Sequence, residues 1–286
     1  MTLAFGVLAA LAAALLYSVG VSLQAAEARQ APESDSLRLA LLRHLATRRR
    51  WVLGTVCVVG GWVMQAVALL LAPITVVQPA LAMSVIALLF IGCRWFDQTA
   101  RAGEILAGLA IAIGVGGLVA ASPGQSDAQG EPLALAIGMT ALAVVALSPF
   151  VLRVRRQVGG LVAVSAGLAY AWTGFGTKFV ADGLSSGAWG FSLVWLAATA
   201  AAAAVGLVSE MTALQSRSVI RVFPVVLVVQ VVVAVVLAPL LAGEGWSPDP
   251  LILAALGLSV AVVAAGTRAL AGGTSVEAVI ATRRDG

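Results

Sequence analysis

Residues 60–96 read GGWVMQAVALLLAPITVVQPALAMSVIALLFIGCRWF, and the reading of this stretch decides the fold. It contains two apolar segments, each long enough to cross a bilayer, joined by Ala72-Pro73-Ile74-Thr75. Gln65 lies inside the first segment and Pro79 one turn into the second. A second copy appears 145 residues on: Gln65 falls on Glu210, Ala68 on Ala213, Leu69 on Leu214, Val77 on Val222 and Pro79 on Pro224. Most other positions are simply apolar in both copies. The spacing predicts two related halves with a polar or charged group at the same place in each.

Composition sets the class. Hydrophobic residues make up 61% of the 286 and charged residues 10%, against about 25% charged in a soluble domain. No soluble fold of this size could hide so much apolar side chain, so a polytopic membrane protein is expected. The pI near 9.8 raises nucleic acid as a partner. The placement of charge removes it: sixteen of the seventeen basic residues are Arg, clustered in short segments between apolar runs. That arrangement encodes membrane orientation rather than a nucleic-acid surface. The preference for Arg over Lys, with abundant Ala, Val and Gly, points to a bacterial chain and so to the plasma membrane. Cys57 and Cys93 both lie in apolar segments and read as small packing residues. With no basic start and no cleavage signature, residues 2–26 are expected to be a retained first span.

Nine segments reach spanning length: 2–26, 51–71, 75–96, 102–121, 132–152, 158–181, 190–214, 219–242 and 250–270. Periodicity is silent inside them because they are apolar all round. The loops decide orientation. One set carries Arg29 to Arg50, then Arg94 and Arg101, Arg153 to Arg156, Arg217 and Arg221, and finally Arg283 and Arg284. The other set carries Asp127, Glu131, Asp182, Glu244 and Asp249 and no arginine. Strict alternation of the two sets places the N-terminus outside and the C-terminus in the cytoplasm.

The expected organisation is therefore a first repeat over 1–121, a connecting span over 132–152, a second repeat over 158–271 and a cytoplasmic tail over 272–286. Spans 1 to 4 match spans 6 to 9, and moving five spans along inverts the second half in the membrane. Gly20-x-Ser22-x-Gln24 in span 1 matches Gly174-x-Gly176-x-Lys178 in span 6, at a shift of 154. Within the first repeat, residues 34–50 place Leu37, Leu41, Leu42 and Leu45 on one helical face and Arg38, Arg43 and His44 around the rest. An amphipathic helix lying on the cytoplasmic membrane surface is expected there. The rows Gly160/Gly167/Gly174 and Gly257/Ala261/Ala265 predict faces of close helix packing.

Intramembrane polar groups are expensive and mark sites. Glu210 near the end of span 7 is the first candidate, as a carboxylate able to carry a proton or bind a cation, with Gln65 as its repeat partner. Lys178, Gln24, Gln78, Gln230, Tyr170 and Trp172 are further substrate or coupling candidates, with Tyr17 and Thr173 as weaker ones. Glu104 and Arg268 read as interfacial. Pro79 and Pro224 each remove a backbone hydrogen bond and are expected hinges beside a wet cavity. The sequence has no Gly-rich phosphate loop and no metal-ligand cluster, and His44 is its only histidine; neither an enzyme nor a cofactor is expected.

The run A72-P-I-T-V-V-Q-P-A-L-A-M-S-V85, with the span plan and the inverted repeat, resembles the drug/metabolite transporter superfamily, EamA-like and closest to its NIPA-like branch. That branch carries A-P-x-x-L-V-T-P-L-G-A-L-S-V. The resemblance implies alternating access around a central cavity between the halves and, for the branch, magnesium transport. Trp62 stands where the branch carries an acidic residue, and Gln65 where it tends to carry Asn. Magnesium is held through carboxylates, and Glu210 is the one well-placed carboxylate that remains. The expectation is a secondary transporter of a small molecule or ion, coupled to protons and working as an exporter, in contact with lipid and able to form a homodimer. The alternatives are a magnesium or cation transporter and a non-transporting membrane scaffold.

Overall fold

A computed structural model of the chain describes residues 2–71, 80–81, 83–95, 102–121, 132–152, 159–241 and 249–284. Among them all regular structure is helical. The order is α1 (Thr2–Ala28), a single 3-10 turn (Glu33–Asp35), α2 (Leu39–Ala46), α3 (Arg49–Leu71), α4 (Ser84–Trp95), α5 (Ala102–Ala120), α6 (Pro132–Val151), α7 (Gly159–Ser185), α8 (Trp189–Ser216), α9 (Val219–Leu241) and α10 (Pro250–Arg284). Ala4–Ala28, Leu133–Val151 and Trp189–Ser216 are long and apolar enough to cross a membrane, and Ile105–Gly117, Val219–Ala234 and Pro250–Gly266 are shorter apolar runs. Large apolar side chains stand on the outer surface, Trp62 (67% exposed), Phe90, Ile113 and Leu193 among them. Such a surface suits lipid rather than water.

Lipid also explains how α9 stays helical. Its middle reads VVLVVQVVVAVV, and β-branched residues are weak helix formers in water. In hydrocarbon every backbone group must be satisfied within the segment, so helix wins over side-chain preference. Pro149 in α6 illustrates the same constraint. It has no N–H to offer the carbonyl of Val145, and the Ser148 hydroxyl donates to that oxygen at 2.8 Å instead. At Pro224, the other expected hinge, α9 runs through the buried proline as continuous helix. Pro79 and Gln78 lie outside the described residues.

Helices pair along their lengths: α1 with α3, α7 with α8, and α5 with α10. α9 packs on α7 and touches α1, α4, α5, α6, α8 and α10, which puts it in the middle. Small residues set the closest approaches. A Cβ built on Gly20 would lie 2.7 Å from the Gly54 carbonyl oxygen, and one on Gly54 2.7 Å from that of Gly20. The two backbones therefore touch, and neither position has room for a side chain.

One apolar cluster gathers Val21, Ala25 and Ala28 of α1, Leu41 and Leu45 of α2, Trp51 of α3, Val162 of α7, Met211 and Leu214 of α8, and Val219 of α9. These are the C-terminal end of α1 and α8 and the N-terminal end of α3, α7 and α9, so the five ends share one side of the bundle. The arginine-bearing segments 29–50 and 217–221 lie at this side, which we term the Arg-rich end. A separate cluster of Ala10, Ala13, Ala68 and Leu81 joins the opposite ends of α1 and α3.

Three expectations change. The helix expected over 34–50 covers only Leu39–Ala46. Leu41 and Leu45 are fully buried, and it is the protein core that covers them, not lipid. Gly257 has nothing within 4 Å, and Ala261 and Ala265 are exposed. The face of α10 that packs carries Ser259, Val263 and Gly266 instead, set against Ala107, Ile111, Gly114 and Gly117 of α5. Of the expected row in α7, Gly167 meets Val226 and Val229 of α9 closely, whereas Gly174 has nothing within 4 Å. The expected tail is helical as far as Arg284.

Candidate functional site

Two polar pairs of the same design hold the leading candidates. In the first, the Tyr17 hydroxyl of α1 donates to Gln65 Oε1 of α3 at 2.8 Å. In the second, the Tyr170 hydroxyl of α7 donates to Glu210 Oε2 of α8 at 2.7 Å. Each tyrosine ring lies across a glycine one turn before the group it binds. A Cβ on Gly61 would sit 3.1 Å from the Tyr17 ring, and one on Gly206 2.7 Å from the Tyr170 ring. Gly61 and Gly206 are themselves 145 residues apart, as are Gln65 and Glu210. Both acceptors stand six residues before the end of their helices, Leu71 and Ser216.

The pairs occupy opposite ends of the bundle. Trp51 of α3 donates its indole N–H to the Met211 sulfur at 3.4 Å, which brings the start of α3 level with Glu210. Gln65 is fourteen residues further along α3, or ~21 Å at 1.5 Å per residue.

Glu210 is 6% exposed. Ser209 beside it is fully buried and shares a hydrogen bond with Ser165 at 3.2 Å, while Ser165 also donates to the Ala146 carbonyl. A polar thread thus crosses from α6 through α7 to α8 next to the carboxylate. Burying a carboxylate is costly, and a single neutral phenol donor offsets only part of that cost. Such a group can take up a proton or hold a monovalent cation. Gln65, in the matching place, carries no charge and cannot take up a proton. Among the described residues there is no group of three or more His, Cys, Asp or Glu able to hold a metal ion.

No family model, curated protein or solved structure matches this chain.

The remaining candidates are dispersed. Gln24 is buried on α1 and donates to the Thr55 hydroxyl of α3 at 3.0 Å, two turns from the Tyr17 pair. Trp172 donates to the Met139 carbonyl at 3.1 Å and joins Trp195, Phe179 and Phe191 in an aromatic cluster. Thr173 donates to the Tyr170 carbonyl at 2.7 Å. Gln230 is half-buried on α9. Lys178 is on α7, Glu104 on α5 and Arg268 on α10; their side chains lie outside the described residues. Cys57 is a half-buried free thiol.

Several residues escaped the sequence reading. Gly206 was findable, because the shift that pairs Gln65 with Glu210 also pairs Gly61 with Gly206. Glu27 is 7% exposed; the span expected over 2–26 stops one residue short of it, whereas α1 continues to Ala28 and buries it. Thr212 and Gln215 are 2% and 3% exposed at the end of α8. Next to Arg217 they read as an ordinary polar helix end.

Proposed function

We propose that this chain is a secondary transporter of the drug/metabolite transporter type, moving a small solute across the bacterial plasma membrane by alternating access, with proton-coupled export. The observation that carries it is the matched pair of tyrosine-held groups, Tyr17–Gln65 and Tyr170–Glu210, at opposite ends of one bundle. Two copies of one helix pair, upside down relative to each other, account for that arrangement, and inverted repeats are the plan of many alternating-access transporters. On this plan spans 1 to 4 and 6 to 9 form the two repeats, joined by the connecting span. The Arg-rich end is cytoplasmic, and the N-terminus lies outside. Glu210 is the coupling residue, and the two bundles rock about a shared polar centre.

The magnesium alternative asks for a second carboxylate beside Glu210. The group hydrogen-bonded to Glu210 is a phenol and not a carboxylate, and a lone carboxylate suits a proton better than a divalent cation. A scaffold would have no use for a buried carboxylate whose burial costs stability.

The test begins with a metabolite-accumulation screen in a deletion strain to find a solute, followed by flux of that solute in proteoliposomes under an imposed pH gradient. Glu210→Gln makes the second pair chemically equal to the first and abolishes the dependence of flux on pH. Flux indifferent both to pH and to this substitution removes the coupling proposal.

A further inference from the structure

The segment between α1 and α2 is fastened to the end of α8 by side chains that none of the roles above uses. Gln215 donates to the carbonyls of Ala31 and Pro32, at 3.4 and 3.1 Å, and accepts from the Ser36 hydroxyl at 2.8 Å. Thr212, one turn earlier, accepts from the Leu37 backbone N–H at 3.0 Å. Leu37 has φ 56° and is the sole non-glycine residue with positive φ among the described residues. A leucine in the left-handed region is strained and persists only where its surroundings hold it. Here Thr212 holds its N–H, and its side chain packs on the cluster of Leu41, Leu45 and Met211. The strap then continues into α2, which caps the Arg-rich end with its two buried leucines.

The geometry points to a gate: residues 31–46 close the Arg-rich mouth of the transporter, and Gln215 and Thr212 are the clasp that keeps it shut. Three features favour a gate over a fixed loop. The clasp joins an element of the first half to an element of the second, so rocking of the halves must break it. It is made of neutral hydrogen bonds, each a small net contribution because water replaces them on opening. It also sits on the same helix as Glu210, two and five residues beyond it, so any displacement of α8 that accompanies a change at the carboxylate reaches the clasp directly. Strain stored at Leu37 is released when Thr212 lets go, which lowers the cost of opening.

The inference rests on the transporter reading but is tested without any solute. Ser209 is fully buried below the clasp, and Ser209→Cys in a Cys57→Ala, Cys93→Ala background reports access to that depth. Inside-out vesicles expose the cytoplasmic end to a membrane-impermeant maleimide, and right-side-out vesicles expose the other. Labelling from the cytoplasmic end is expected to be slow with the clasp intact. It should be roughly fivefold faster with Ser36→Ala, which removes one hydrogen bond from the closed state, and tenfold or more faster with Gln215→Ala, which removes three. Labelling from the other face should not change. Ser36→Ala alters only a loop hydroxyl and serves if Gln215→Ala fails to fold. Unchanged labelling in Ser36→Ala, or acceleration from both faces alike, overturns the gate. A Glu210→Gln variant that leaves solute flux unaltered removes proton coupling yet does not touch this result, so the two failures are distinguishable.

Discussion

Gly61 and Gly206 matter for the side chain they lack. The ring of Tyr170 occupies the space a Cβ on Gly206 would need, at 2.7 Å, and the Tyr17 ring is 3.1 Å from that of Gly61. Gly206→Ala should overpack the site and lower stability by about 1–3 kcal/mol, read as a fall in melting temperature in detergent; Gly61→Ala should cost less. Tyr170→Phe keeps the ring and removes the donor from a buried carboxylate, a loss of about 1–3 kcal/mol. Tyr17→Phe removes a bond to a neutral, half-buried amide and should cost less by the same measurement. Equal losses in the two tyrosine variants would mean that the carboxylate draws no more from its donor than the amide does. The repeat match of Gln65 with Glu210 was legible in the chain. Tyr17 and Tyr170 were legible as polar candidates, but their pairing with these two groups was not: they lie 153 residues apart, whereas the glycines of their helices match at 154. One residue on a helix is a rotation of about 100°, enough to put a partner on a different face.

At the level of the element, the difference between a small residue that packs and one that does not is decided by its neighbours. Gly20 touches the Gly54 carbonyl of α3, which cannot move aside as a side chain could. Gly20→Val should force α1 and α3 apart and lower the melting temperature by several degrees or prevent folding. Gly257→Ala meets nothing and should be neutral, or stabilising by up to about 1 kcal/mol through helix propensity. In α2, Leu41→Ala should cost about 2–5 kcal/mol, and the exposed Leu39→Ala close to nothing; denaturation in mild detergent separates them. The pattern of leucines in α2 was legible as one apolar face. What covers that face was not, because a helix on lipid and a helix on protein share the same periodicity.

At the scale of the whole molecule, the arginine pattern makes the sharpest prediction. Reporter fusions that are active on one side of the membrane should place the two termini on opposite sides, with the C-terminus inside; both termini on the same side would end the nine-span scheme. The sequence alone determined that the chain is helical and apolar enough for a membrane, the positions of most of its long helices to within a few residues, and the residue most costly to bury. It could do so because water and hydrocarbon sort side chains by polarity whatever they later touch. Tertiary structure decided which groups meet: Tyr170 with Glu210, Tyr17 with Gln65, the strap with Gln215, and α10 with α5 through Ser259 rather than Gly257. In a chain whose helices are apolar on every side, polarity no longer marks the inward face. Shape does, and shape exists only once the helices are packed together.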